Sequence, residues 1–201
     1  MMIQGVSIGD MLNQSMTVLT KPSVQSFEQF ERRGGQREAL TYVIAAAVLV
    51  GVVGAVFGLL GGVLGAVGGL LRGVFALLGF YVFAWVLNYV GKSQGGTGTQ
   101  DEVFYTAALY TAPLLAITGV VSSIPIIGCL ALPVTFALGI YQIYLGYLAA
   151  RSSMNLAQNP AIITVIAAIV AQFIVGVFIG GAVIAALVAG AAASGALNTA
   201  P

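Results

Sequence analysis

Gly91-Lys92-Ser93 has the residue types of a phosphate loop: a glycine for close backbone approach, a lysine for phosphate charge and a hydroxyl for a metal ion. The spacing fails. A phosphate loop needs glycine five residues before Gly91, where this chain has Val86, and a preceding strand, where this chain has an apolar helix. Other chemistries have fewer starting materials. The chain has no histidine and one cysteine, Cys129, which removes disulfides, histidine metal ligands and histidine acid–base catalysis together. With no thiol or imidazole to pair with, Cys129 reads as a small apolar filler. No catalytic, cofactor or metal site is predicted. The polar candidates left are neutral: Asn88, Gln142 and Gln172, with Thr106, Thr111, Thr118, Thr135 and Thr164, all set in apolar runs. Such side chains hydrogen-bond between helices, which is the reading preferred here, or meet an uncharged solute.

The elements that position them belong in a membrane. With 59% hydrophobic and 6% charged residues, too few charges exist to cover a water-soluble fold. A net charge of +1 offers no concentrated basic face for nucleic acid. The chain is organised around Thr99 to Arg151, two long apolar segments joined by Ser122-Ser123-Ile124-Pro125-Ile126-Ile127-Gly128, each long enough to cross a hydrocarbon layer. The predicted fold is an all-α integral membrane protein: a five-helix bundle with spans at about 39–60, 70–90, 102–124, 126–150 and 161–187. Residues 1–38 form an amphipathic cytoplasmic arm and 191–201 a short tail.

Local signals set these boundaries. Ala39 to Leu71 is 33 residues without a charge, about 50 Å as one helix, so a turn is placed near Gly61 to Gly69. Glu38 sits in the first turn of the first span, and Thr99 with Glu102 forms a capping box for the third. Pro113 and Pro133 are predicted to kink the third and fourth spans, and Asn159-Pro160 to start the fifth. Gly54, Gly58, Gly62, Gly65 and Gly69, and later Gly176 and Gly180, have the small-residue spacing that lets helix backbones approach.

In the arm, Ser7 and Asp10 are placed as a cap and first-turn acid, and Val24, Phe27 and Phe30 recur every three residues, predicting an interfacial face among the headgroups. Tyr144 and Tyr147 are placed in an aromatic belt near Arg151, with Tyr141 facing another helix. Nothing before Lys21 resembles a cleaved signal. With the N-terminus cytoplasmic, Lys21, Arg32, Arg33, Arg37, Lys92 and Arg151 lie inside and only Arg72 outside, so the positive-inside rule puts the C-terminus outside a cell membrane. No span carries a mid-membrane charge, which argues against proton relays.

The order of features resembles the Yip family of Ypt/Rab-interacting membrane proteins, in particular its bacterial branch. The resemblance rests on Leu19-Thr20-Lys21-Pro22, Gly95-Gly96-Thr97, Tyr110-Thr111-Ala112-Pro113, Ile124-Pro125-Ile126-Ile127-Gly128 and the run from Tyr141 to Tyr147 ending at Arg151. It implies a polytopic protein without enzymatic activity, which in the eukaryotic branch works in vesicle traffic, membrane shaping and Rab binding. The eukaryotic branch's acidic segment near the first span is missing here, so no Rab-binding residue is carried over. The expected function is a non-enzymatic, membrane-organising scaffold or accessory subunit. Its partners are the bilayer and other membrane proteins or itself. The alternative is a channel or carrier for a small neutral solute, with Pro113, Pro133, Gln142 and Gln172 around a pore.

Overall fold

Carboxylates and hydroxyls at the starts of the apolar runs fix where helices begin. The Asp10 amide donates to Ser7 Oγ at 3.1 Å, and the Gly35 amide to Glu38 Oε2 at 3.0 Å. Thr99 and Glu102 exchange bonds of 2.8 and 3.2 Å. Each satisfies an amide that the first helical turn leaves without a partner. The computed structural model describes residues 6–193, and the elements in order are α1 (Ile8–Thr20), α2 (Val24–Glu28), α3 (Gln36–Gly58), a 3₁₀ turn (Leu59–Gly61), α4 (Gly62–Ser93), α5 (Gln100–Ser123), α6 (Ile127–Leu130), α7 (Leu132–Ser153) and α8 (Gln158–Ala193). No strand occurs among the described residues.

Four stretches are long and apolar enough to cross a membrane: Gln36–Ser93, Gln100–Ser123, Leu132–Ser153 and Gln158–Val183. The first folds back on itself. Its turn falls at Leu59–Gly61, followed by Gly62 with φ of 77°, a left-handed value that glycine adopts without Cβ strain. The turn therefore comes at the early edge of the predicted Gly61 to Gly69 window, and α4 is already helical through Gly65 and Gly69 rather than starting at Leu70. The physical reason is that α3 uses those glycines as its packing surface.

Around this hairpin, α5 packs on α3 and α7, α8 lies along α4, and α2 is seated on α7. The core is aromatic where α4 meets α5: Phe80 and Phe104 pack edge to face at 6.0 Å between ring centroids. Pro113 lies within a continuous α5. Pro133 does not kink a span. The chain breaks at Ala131 between α6 and α7, and Pro133 occupies the first turn of α7, where its missing amide costs nothing. The fourth long helix accordingly begins at Leu132 rather than Ile126, and Cys129, on α6, is exposed rather than a filler. Ile126 itself has φ of 68° and ψ of −57°, and the Ile127 amide reaches back to the Pro125 carbonyl at 2.7 Å. This is a γ-turn of the strained sense, unusual for a β-branched residue. The last helix starts at Gln158 and continues through Ala193, past the predicted end at 187; residues 194–201 of the predicted tail lie outside the described residues.

Candidate functional site

Three assemblies draw on the polar and small residues that the sequence singles out. The first is the seam between α3 and α4. Glycines pair across it with a nearly constant sum of residue numbers, Gly51 with Gly73, Gly54 with Gly69 and Gly58 with Gly65, as an antiparallel hairpin requires. A Cβ on Gly58 would strike the Gly65 carbonyl, one on Gly65 the Gly58 carbonyl, and one on Gly69 the Gly54 backbone. These residues thus serve packing inside the molecule. Gly62 is a turn residue whose Cβ would meet nothing within 4 Å, and the same holds for Gly176 and Gly180 on α8, so these three do not pack helices within the described fold. Arg72 does not extend freely outward: it donates to Ser122 Oγ at 2.8 Å and Ser123 Oγ at 3.3 Å, tying α4 to the carbonyl end of α5.

The second assembly is the docked arm. Phe27 is wholly buried, edge to face with Tyr110 at 6.1 Å, Phe30 is buried, and Val24 is half-buried against the core. These three residues therefore do not form an interfacial face: their period matches the bundle, and burying two phenylalanines against it removes more apolar surface than a headgroup layer would. The exposed apolar stripe of the arm lies instead on α1, at Ile8, Leu12 and Met16, spaced one helical turn apart. On the opposite side of α1, Ser15 and Tyr42 share a hydrogen bond of 3.1 Å, Tyr105 donates to Gln14 Oε1 at 2.8 Å, and Tyr141 donates to the Leu19 carbonyl at 2.6 Å. The expected helix contact of Tyr141 is thus with the arm. Beyond α2, Ser152 donates to Glu31 Oε2 at 2.9 Å. Burial pushes the Glu31 carboxyl above the ordinary glutamate range, against the lowering effect of the Ser152 hydrogen bond. Tyr144 is exposed, and Arg151 lies over the Tyr147 ring at 5.8 Å.

The third is a cavity of about 140 Å³ lined by Phe83, Tyr110, Gly139, Gln142, Ile143, Val165, Ile169 and Gln172. Gln142 and Gln172 thus line one cavity, whereas Asn88, Pro113 and Pro133 do not. Sequence reasoning missed Tyr110, whose side chain is fully buried and whose hydroxyl has no hydrogen-bond partner. It also missed the partners of the arm, Gln14, Ser15, Tyr42 and Tyr105. A legible signal existed for the tyrosines, which are polar-tipped residues inside otherwise apolar spans. Gly91-Lys92-Ser93 closes α4 instead of opening a helix, the wrong geometry for a phosphate cradle. Among the described residues, no group of three or more His, Cys, Asp or Glu could hold a metal.

A hydrogen-bonded arm seated on an all-helical core, with four stretches able to cross a bilayer, defines a multi-pass membrane protein. The match of the Yip1 domain family to residues 16–180 covers most of that structure, from the middle of α1 into α8. The chain belongs to the Yip1 domain family, whose members are membrane proteins not known for enzymatic activity. No curated protein and no solved structure matches it.

Proposed function

We propose that this protein is a non-enzymatic membrane-organising scaffold or accessory subunit, crossing the cell membrane five times. The 58-residue stretch Gln36–Ser93 supplies two of the crossings through its hairpin. In this reading the N-terminus is cytoplasmic and the C-terminus outside. What supports that orientation is the distribution of basic residues: the Arg32–Glu102 ion pair at 3.2 Å and the Ser152–Glu31 bond join the basic stretch of the arm to the acidic start of α5 and to the Arg151 end of α7, while Arg72 lies toward the opposite end. The stripe Ile8, Leu12 and Met16 gives the arm its contact with the headgroup layer.

The observation that carries the scaffold reading is the unequal covering of the spans. About two thirds of the apolar window of α5 is buried (67%), against 22% in α7 and 17% in α8. One flank of the bundle thus presents two barely covered apolar helices, the surface on which lipids and other membrane proteins pack. Gentle solubilisation of the full chain from its native membrane, followed by size determination and mass spectrometry, tests it. Partners at fixed stoichiometry, or a defined homo-oligomer, are expected; a lone monomer would overturn the reading. The alternative, a channel or carrier for a small neutral solute, has in its favour that Gln142 and Gln172 line one cavity. It requires solute flux into liposomes that falls on Gln172→Leu.

A further inference from the structure

The cavity between α7 and α8 has a polarity that helix packing does not explain. Tyr110 Oη is buried beside Gly146, where an added Cβ would lie 3.2 Å from it, and apart from the neighbouring Thr111 hydroxyl, with which it makes no well-formed bond, it has no hydrogen-bond partner. The amides of Gln142 and Gln172 line the same space and make no hydrogen bond to the described residues. In hydrocarbon each such group costs several kcal/mol unless something satisfies it.

Depth and access constrain what that something is. Tyr110 lies eight residues beyond Glu102 and Gln142 nine before Arg151, which places both about 12 to 14 Å in from the polar end, near the middle of a hydrocarbon layer about 30 Å thick. No charged side chain lines the cavity. Two of its lining residues, Gly139 and Ile143, are themselves exposed, as are Phe136 on α7 and Phe173 on α8. The mouth therefore opens sideways into the bilayer. At about 140 Å³ it approaches the ~150 Å³ of an engineered cavity that admits benzene, room for a small head of about six heavy atoms.

We infer that this cavity is a binding site for an uncharged amphiphile that enters from the bilayer, its hydroxyl or carbonyl head meeting Tyr110, Gln142 and Gln172 and its apolar tail leaving between α7 and α8. The site does not depend on the scaffold reading. An uncharged head fits because no cation or anion in the cavity would balance a charge, and an amide pair plus a phenol both donates and accepts.

The test uses the full chain in lipid nanodiscs with two photoreactive probes, a long-chain alcohol bearing a diazirine and the same molecule with its hydroxyl replaced by methyl. The alcohol is expected to label the peptides around Gly139–Ile143 and Val165–Gln172. Labelling should fall about five-fold in Gln142→Leu/Gln172→Leu and measurably in Tyr110→Phe, with the methyl probe unaffected. Tyr110→Phe deletes only an unpaired hydroxyl and keeps the fold, which the emission of the single tryptophan, Trp85, checks. Equal labelling by both probes would overturn the inference in favour of a groove for apolar lipid tails, and labelling indifferent to these variants would overturn it as well. Protection by glycerol as effective as by unlabelled long-chain alcohol would also overturn it, in favour of a solute arriving from water.

Discussion

Replacing Gly69 by alanine is expected to loosen the α3–α4 hairpin, whereas the same change at Gly51 should tighten it. At Gly69 the new Cβ would fall on the Gly54 carbonyl and the Ala55 amide, backbone atoms that move only with the whole helix. Restoring ordinary contact requires α3 and α4 to part by about 1 Å, and a gap of that size forfeits a quarter to a half of each neighbouring dispersion contact. Together with the ~1–3 kcal/mol typical of an overpacked core, the loss comes to about 2–4 kcal/mol. Alanine regains about 1 kcal/mol of helix propensity, leaving a net destabilisation of about 1–3 kcal/mol. At Gly51 the nearest atom to an added Cβ is the Leu70 carbonyl at 3.4 Å, an ordinary contact, so the propensity gain of about 0.5–1 kcal/mol stands alone. Gly176→Ala and Gly180→Ala, with nothing within 4 Å, should behave like Gly51→Ala. The assay is reversible unfolding in mixed micelles by SDS titration, followed by helical circular dichroism and Trp85 emission. Equal cost at Gly51 and Gly69 would refute the seam. A loss at Gly176 matching that at Gly69 would mean that another chain sits on α8.

Three other outcomes follow from the arm and the outer turn. The folded state raises the Glu31 pKa through burial, with Glu102 and Glu28 adding to the rise and Ser152 and Arg32 opposing it. Its contribution to arm docking is therefore fully present below the ordinary glutamate pKa and is lost as pH rises through the raised value. A spin label at the exposed Gln25 should be less mobile at acidic than at neutral pH, a dependence that Glu31→Gln flattens; an unchanged profile in that variant would contradict the assignment. Tyr105→Phe leaves Gln14 Oε1 unpaired inside the arm interface and should weaken docking by about 1–2 kcal/mol, seen as higher label mobility. Ile126→Gly relieves the strained γ-turn and should raise stability by about 1 kcal/mol in the SDS titration; a lower midpoint would show that the turn carries no strain.

Much of the fold was legible because it is local. The caps at Ser7 and Thr99 act within three residues, and their sequence patterns named them; Glu38, read as a first-turn acid, also accepts from the Gly35 amide. Pro113 and Pro133 show where local reading stops. Both interrupt an apolar run, yet one sits inside a continuous helix and the other falls in the first turn of a new one, because the chain breaks at Ala131, two residues before Pro133. The period of Val24, Phe27 and Phe30 correctly announced an apolar face, but periodicity says only that a face is buried, not whether lipid or protein covers it. Of the candidate site, Gln142 and Gln172 were visible as polar residues in apolar helices, and Tyr110 carried the fainter signal of a polar tip within an apolar span.

By itself the sequence determined the solvent and the class: a chain with so few charges and such long apolar runs has to satisfy its backbone within helices inside a bilayer. It also placed every charged residue in the arm or near a span end, the reading that argues against proton relays. Only the tertiary structure decided which glycines touch a backbone and which face open space, that the arm folds onto the bundle, and that Tyr110, Gln142 and Gln172 surround one cavity. The reason is distance along the chain. Helix composition fixes each segment's environment, but which faces of α4, α5, α7 and α8 meet depends on side-chain packing between residues far apart in sequence, and similar apolar helices offer many pairings of comparable local quality.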